Sequence, residues 1–179
     1  MTHTQTPRIP ALDEHSAPGQ LDLIRDIRSE RGGELLLLYR VLLNSPPLAE
    51  GWLKLLTAVR QQTSLDGRIR ELIILQIAAL NGAQYEFEAH VPFARREGVD
   101  DAVLWSIEKG EVPDSLTPRE RLALRYAGQM TREIQVPDAL FNELRQHYTA
   151  AEILELTVVA GAYNMVSRVL VALDIKTEH

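Results

Sequence analysis

Two acidic residues and one histidine could carry out acid–base chemistry in this chain, which contains no cysteine. Glu86 and His90 are one helical turn apart, and Ala83 precedes Glu86 by a similar interval, so on a helix these three side chains share one face. A carboxylate and an imidazole that lie side by side can exchange protons with a bound molecule. The spacing therefore predicts general acid–base chemistry, with Glu71 as the second acid.

Glu71 belongs to this group because the segment that follows it predicts a helical hairpin. The sequence ELIILQIAAL is apolar on nearly every side of a helix, which is typical of a buried one. Asn81 and Gly82 come next, and both residue types tolerate a positive φ. Two helices that run antiparallel from this turn bring Glu71 level with the region around His90. We therefore expect two carboxylates and one imidazole to converge.

The same residues carry a family resemblance. Residues 65–99 resemble the carboxymuconolactone decarboxylase family, which includes alkylhydroperoxidase D and relatives with a Tyr-Glu-aromatic-x-x-His signature, found here from Tyr85 to His90. A weaker resemblance extends over residues 36–175. It implies an all-α, alkylhydroperoxidase D-like helical bundle in a single domain, with Glu71, Glu86 and His90 as catalytic residues.

The chain departs from the peroxidase branch of that family at the sulfur positions. In that branch a Glu is followed by Cys-x-x-Cys-x-x-x-His; Glu71 and His90 match, whereas Ala83 and Glu86 occupy the cysteine positions. A thiol peroxidase needs one thiolate to attack the peroxide and a second thiol to resolve the sulfenic acid. Thiol peroxidase activity is therefore excluded. The resemblance then implies the decarboxylase-like branch, in which acid and base groups do the work.

His90 is the expected proton donor in such a reaction. The ordinary pKa of a histidine, about 6.5, suits proton transfer near neutral pH. For a small carboxylated lactone or keto acid, loss of CO₂ or of an α-proton leaves an enolate, to which a protonated His90 can deliver a proton. We expect Glu71 or Glu86 to orient the imidazole, and no cofactor to be needed.

Three further residues are candidates for substrate binding. Tyr85 could lend its hydroxyl to the pocket. Asn164 and Arg168 share one face of an otherwise apolar helix, where a guanidinium must pair with an acid, reach the surface or lie at a subunit interface. The interface is the favoured interpretation for Arg168, and a clamp on a substrate carboxylate is the other.

Structural interpretations of the motif remain open beside the catalytic one. His90 could be a partly buried residue bonded to a backbone carbonyl, Glu86 a solvated carboxylate, and Glu71 an ordinary partner of Arg68 or Arg70. Iron, manganese or zinc could also bind two carboxylates and an imidazole. However, helical di-iron proteins use Glu-x-x-His from paired helices, whereas this chain has Glu-x-x-x-His once. We therefore expect no metal.

Helical periodicity dominates the chain from residue 21 onward, and no segment alternates as a strand would. Boundary residues support these helices: Thr117–Glu120 and Thr149–Glu152 have the capping-box pattern, and Gly98 and Gly110 are typical of helix ends. The predicted fold is all α. The helices are expected at residues 21–31, 34–44, 49–62, 66–80, 83–97, 101–109, 118–132, 137–147 and 150–173.

Composition limits the partners and the location of the protein. A chain of 179 residues that is 45% hydrophobic and 25% charged fits one domain, expected at residues 21–179 after a flexible tail at 1–20. A net charge of −6 without a basic stripe argues against nucleic acid. The apolar runs are shorter than the ~20 residues that span a membrane, so we expect a cytoplasmic protein that binds a small molecule.

The family resemblance also implies a homotrimer or homohexamer, and the LLLLY run within residues 34–44 carries more apolar surface than a monomer readily exposes. A second hypothesis from a different class is a non-catalytic, oligomeric small-molecule-binding or scaffold protein of the same fold. It stays open because a fold does not determine an activity.

Overall fold

The computed structural model describes residues 6–177. Over this range the chain forms α-helices and one short 3₁₀ turn, and it contains no β-strand. The helices are α1 (Leu21–Glu30), α2 (Leu37–Leu42), α3 (Pro46–Gln61), α4 (Gly67–Asn81), α5 (Gln84–Arg96), α6 (Asp101–Glu108), α7 (Pro118–Glu133), α8 (Asp138–His147) and α9 (Ala150–Ala172).

The predicted all-α fold is confirmed, and a helix lies at each expected place. The largest differences are at α2 and α3. Helix α2 begins later than expected, at Leu37, because Leu36 has an extended backbone with φ of −55° and ψ of 146°, a conformation that lies outside the helical region. Helix α3 begins earlier, at Pro46, because a proline in the first helical turn loses no helical hydrogen bond.

The described residues divide into two compact units, residues 6–62 with 172–177, and residues 63–171. The first unit holds α1, α2 and α3 around a small apolar core. Arg31 lies at the edge of this core, where its Nε donates to the Tyr39 hydroxyl at 2.9 Å. The buried members of this core are Ile24, Ile27, Tyr39, Leu43 and Leu53.

The expected N-terminal tail lies partly in this first unit, and its residues 1–5 are outside the described residues. Arg8 N donates to Leu173 O at 2.9 Å, and Leu12 N donates to Arg40 O at 2.9 Å. Ala17 is buried. Residues 8–17 therefore contact the unit at several points, and the division of the chain into tail and domain stays a prediction.

The second unit is built on α4, which is buried along most of its length. Asp66 caps its first turn by accepting from Ile69 N at 3.1 Å. Gly82 ends it with a left-handed φ of +65°, and Ala83 N donates to Ala78 O at 2.8 Å, so the chain reverses into α5. The predicted hairpin of α4 and α5 is confirmed.

Helix α9 is the longest described helix and, among the described helices, the one whose length and composition would allow it to cross a membrane. Its inward face is packed in the unit, since Val159, Tyr163, Ser167 and Leu170 are buried. A core helix of a soluble protein has this pattern, so α9 is consistent with a soluble protein.

The start of α7 shows the predicted capping box in full. Thr117 Oγ1 accepts from Glu120 N at 3.2 Å, and Glu120 Oε2 accepts from Thr117 N at 2.7 Å. Glu120 also receives Arg68 Nε at 2.6 Å, so the cap ties α7 to α4. Burial alone would raise the pKa of Glu120, but the hydrogen bonds from Arg68 and Thr117 outweigh it and leave the pKa below its usual value.

We predict that Thr117→Val lowers the free energy of unfolding by about 1 kcal/mol, because it keeps the shape of the side chain but removes the acceptor of the Glu120 amide. Thr117→Ser retains the hydroxyl and should stay near the wild type. Urea unfolding followed by circular dichroism compares the two variants. Equal stability of the valine and serine variants would show that the cap contributes nothing.

Candidate active site

The hairpin brings Glu71 on α4 against His90 on α5, as the sequence predicted. Glu71 Oε2 lies 2.7 Å from His90 Nδ1. Both residues are buried, with exposed fractions of 2% and 7%. An ion-forming pair this far from solvent is unusual unless further groups satisfy it.

Arg70 supplies one such group. Its Nε lies 3.3 Å from Glu71 Oε1, and its side chain is largely buried. With a guanidinium on one oxygen and the imidazole on the other, Glu71 is held as a carboxylate that can only accept hydrogen bonds. His90 Nδ1 therefore donates to it, and in the neutral imidazole the lone pair is on Nε2.

Glu86, one helical turn before His90, has a different environment. It is 2% exposed, and its Oε2 accepts from the Ser167 hydroxyl at 2.8 Å. Its Oε1 is also buried and has no hydrogen-bond partner among the described residues. Burial raises the pKa of Glu86 to about 8, which the Ser167 hydrogen bond opposes only in part. At pH 7 Glu86 is mainly a neutral acid, by about tenfold over its carboxylate.

Aromatic rings and one small residue line the rest of the cluster. The Tyr163 ring on α9 meets the His90 ring edge-on, with centroids 5.1 Å apart, and the Phe93 ring lies 5.7 Å away. Ala83, at the position of the first cysteine in the peroxidase pattern, is buried with 2% exposure. Helices α4, α5 and α9 thus surround two acids and one imidazole with largely apolar walls.

The predicted substrate-binding pair on α9 joins another network. Arg168 Nη1 donates to Asn164 Oδ1 at 2.6 Å, and Asn164 Nδ2 donates to Thr131 Oγ1 at 2.9 Å. Asn81 Nδ2 also donates to Asn164 Oδ1. In the single chain Arg168 reaches the surface. Tyr85 is half-buried on α5. The substrate-binding roles of Tyr85, Asn164 and Arg168 stay predictions.

Two residues that sequence reasoning did not place at this site are Ser167 and Tyr163. Ser167 is fully buried and carries the hydroxyl that contacts Glu86. Tyr163 precedes it by one helical turn, so both face α5. The sequence offers one signal, a serine within an apolar helix, but nothing local shows which helix it meets.

The donor atoms of the cluster do not suit a metal ion. One oxygen of Glu71 faces Arg70 and the other faces His90, so neither is open to a cation. Within residues 6–177 no group of three or more histidine, aspartate or glutamate side chains is arranged as a metal site.

A cleft of about 340 Å³ lies on another face of α5, toward α6. Phe87 and Val91 of α5 and Trp105 of α6 line it, and the acid–base cluster does not.

Comparison with known proteins identifies the family. A sequence model of the carboxymuconolactone decarboxylase family matches residues 46–129, a range that includes the whole acid–base cluster on α4 and α5. The uncharacterized protein YnjA of Escherichia coli K12 is 30% identical over 130 residues, which are 72% of this chain and 68% of YnjA. The chain belongs to the carboxymuconolactone decarboxylase family. Its cysteine-free site is thus a variant within that family.

Solved structures agree on the fold. A peroxidase-related protein of Ralstonia eutropha JMP134, described as an alkylhydroperoxidase AhpD core, is 18% identical and matches with a TM-score of 0.84 over 97% of this chain and 93% of its own. The debrominase Bmp8 in complex with 2,3,4-tribromopyrrole is 19% identical, with a TM-score of 0.78 over 98% and 93% of the two chains. These matches confirm the alkylhydroperoxidase D-like fold.

We predict that Glu86→Gln changes how stability depends on pH. The folded wild type keeps a proton on Glu86 up to about pH 8, whereas the unfolded chain releases it above its ordinary value of 4.5, so wild-type stability falls as pH rises between these values. The glutamine variant has no proton to release at this position, so its stability lacks this decrease. The difference in unfolding free energy, variant minus wild type, should therefore rise by as much as about 1.4 kcal/mol per pH unit and level off above the folded pKa.

Urea unfolding at a series of pH values measures this difference. Glu108→Gln, the same chemical change at an exposed position of α6, is the matched control and should give a flat difference. If the difference in unfolding free energy between Glu86→Gln and the wild type also stays constant with pH, Glu86 is ionised in the folded protein.

Proposed function

We propose that this protein is an acid–base enzyme that acts on a small carboxylated lactone or keto acid. The observation that carries this proposal is the buried Glu71–His90 hydrogen bond of 2.7 Å, one helical turn from an acid that is mainly neutral. Proton transfer at carbon requires a positioned acid or base and a second group that donates to the developing charge. His90, held by Glu71, can be the first, and the neutral Glu86 can be the second.

His90 transfers the proton in the proposed decarboxylation. The bond between the substrate α-carbon and its carboxylate breaks, CO₂ leaves, and the electron pair remains as an enolate. The protonated His90 then gives its Nε2 proton to the carbon and is protonated again from water. Glu71 acts through His90, because its hydrogen bond to Nδ1 holds the ring and stabilises its charged form.

Glu86 keeps its proton in this scheme and donates a hydrogen bond to the enolate oxygen. An enolate concentrates negative charge on its oxygen, and a neutral carboxylic acid in an apolar site is a strong hydrogen-bond donor to such an oxygen. The buried Oε1 of Glu86, which has no partner among the described residues, is the atom available for it. Ser167 positions Glu86 through the other oxygen.

The structural relative Bmp8 supports a substrate as small as a single ring. It is a debrominase crystallised with 2,3,4-tribromopyrrole, a single small ring. A ring of that size, with a carboxylate or lactone carbonyl in place of the bromines, fits the chemistry proposed here. The proposal includes no cofactor or metal, no nucleic-acid or membrane partner, and a cytoplasmic location.

A non-catalytic ligand-binding protein is the second candidate, and the burial of the cluster favours it. Glu71, Glu86 and His90 are each at least nine-tenths buried, and a buried polar network can serve to fix the packing of helices. A binding protein would retain a ligand unchanged, whereas the enzyme would convert it.

We predict that His90→Gln abolishes conversion of compounds that the wild type captures from a cell extract, without abolishing capture. Glutamine keeps a polar side chain of similar length but cannot deliver a proton. Mass spectrometry of the captured pool before and after incubation measures conversion, and the loss of a general acid should reduce turnover by about 10²- to 10⁴-fold.

His147→Ala, which removes an exposed histidine on α8, is the matched control and should convert the pool as the wild type does. If the wild type and His90→Gln both return the captured compounds unaltered, the binding-protein candidate replaces the enzyme.

We also predict that kcat/KM falls as pH rises through about 8, the pKa of Glu86, because the reaction uses the neutral acid. Glu86→Gln should be slower and should lose the part of this fall that Glu86 causes, since its amide does not titrate. Any fall that remains belongs to His90, which must also be protonated. The pH profiles of both proteins, on the substrate found by capture, test this role. A wild-type rate that increases through this range would instead make the Glu86 carboxylate a base.

A further inference from the structure

Helix α9 carries an exposed stripe on the side opposite its buried face. Leu154, Val158, Gly161, Met165 and Arg168 follow one another at alternating intervals of four and three residues, the spacing of a coiled-coil seam. Leu154 is 63% exposed and Val158 39% exposed, and Met165 is partly exposed. Three apolar side chains thus form one row along the exposed side of α9.

Gly161 lies in the middle of this stripe, and the described residues give no structural reason for a glycine there. A glycine inside a helix costs about 1 kcal/mol relative to alanine. A methyl group added at Gly161 would meet no atom of the described residues within 4 Å, so none of these neighbours requires the small residue. At helix crossings, by contrast, glycine allows two backbones to approach closely.

The charges of α9 indicate which helix would lie there. Glu152 and Glu155 are in its first half, and Arg168, in its second half, is its single basic residue. Arg119 pairs with Glu152, whereas Glu155 accepts from the neutral groups of Ser64 and Arg168 donates to the neutral Asn164. One acid and one base on α9 thus have no oppositely charged partner among the described residues.

We propose that α9 pairs with α9 of a second copy of this chain, antiparallel and related by a two-fold axis at Gly161. Positions equally far before and after the axis then face each other. Leu154 and Arg168 are each seven residues from Gly161, so the stem of Arg168 covers the partner copy's Leu154 and its guanidinium reaches Glu155 beside it. A parallel pair would instead place like charges together.

This inference is independent of the proposed chemistry. It gives the predicted homo-oligomer a definite two-fold interface, which a hexamer also contains and a simple trimer does not. It also gives Arg168 the interface role that the sequence favoured. The stripe is narrow, so the contact is expected to need protein concentrations well above nanomolar to form.

Single-cysteine cross-linking tests the pairing directly, because the chain has no cysteine of its own. We predict that Gly161→Cys forms a covalent dimer with a short bifunctional maleimide. Leu154→Cys should not cross-link to itself, because the antiparallel arrangement separates the two copies of residue 154 by about 21 Å along the helices. A mixture of Leu154→Cys with Arg168→Cys should form the heterodimer.

Leu48→Cys is the matched control, since Leu48 is 65% exposed on α3 and lies outside the stripe. Cross-linking of Gly161→Cys no greater than that of Leu48→Cys would overturn the proposal, as would self-linking of Leu154→Cys, which indicates parallel helices. Sedimentation velocity of the cysteine-free chain should show a dimer that Arg168→Glu weakens. Recovery of the protein with phosphatidylcholine–phosphatidylglycerol vesicles, without cross-linking, would assign the stripe to a membrane instead.

Discussion

The carboxylate of Glu71 is the constraint on which the second unit depends. An ionised group buried this deeply destabilises a fold by several kcal/mol unless donors surround it. Arg70 and His90 are those donors, one from its own helix and one from α5. A slip of one residue between α4 and α5 would leave the carboxylate without the imidazole. The left-handed turn at Gly82 and the Glu71–His90 bond therefore specify the same register of the hairpin.

The same helix pair holds a second buried acid in the opposite protonation state. Glu71 accepts from a guanidinium and an imidazole, whereas Glu86 accepts from one neutral hydroxyl, so burial dominates and raises its pKa to about 8. Two acids whose surroundings separate their protonation states can serve as proton donor and as charged positioning group in one site. The difference arises from the donors, since both residues are equally buried.

Local sequence was enough to predict what depends on neighbours along the chain. The capping box at Thr117, the turn at Gly82 and the meeting of Glu71 with His90 all follow from short-range patterns. Ser167 was not predicted at the site, because its contact with Glu86 joins residues 81 positions apart and depends on how α9 packs against α5. The start of α2 was misplaced as well, since helical periodicity does not register the extended backbone of Leu36.

The position of Glu86 explains how a cysteine-free chain can retain this fold. In the peroxidase pattern the corresponding residue is a cysteine, a small group that a protein buries readily in its neutral form. An ionised glutamate could not replace it in an apolar site, but a neutral glutamic acid with one hydroxyl partner can. The replacement puts an uncharged carboxylic acid in place of sulfur. The Ser167 hydroxyl and the apolar walls thus accommodate Glu86 beside Glu71 and His90 without a second buried charge.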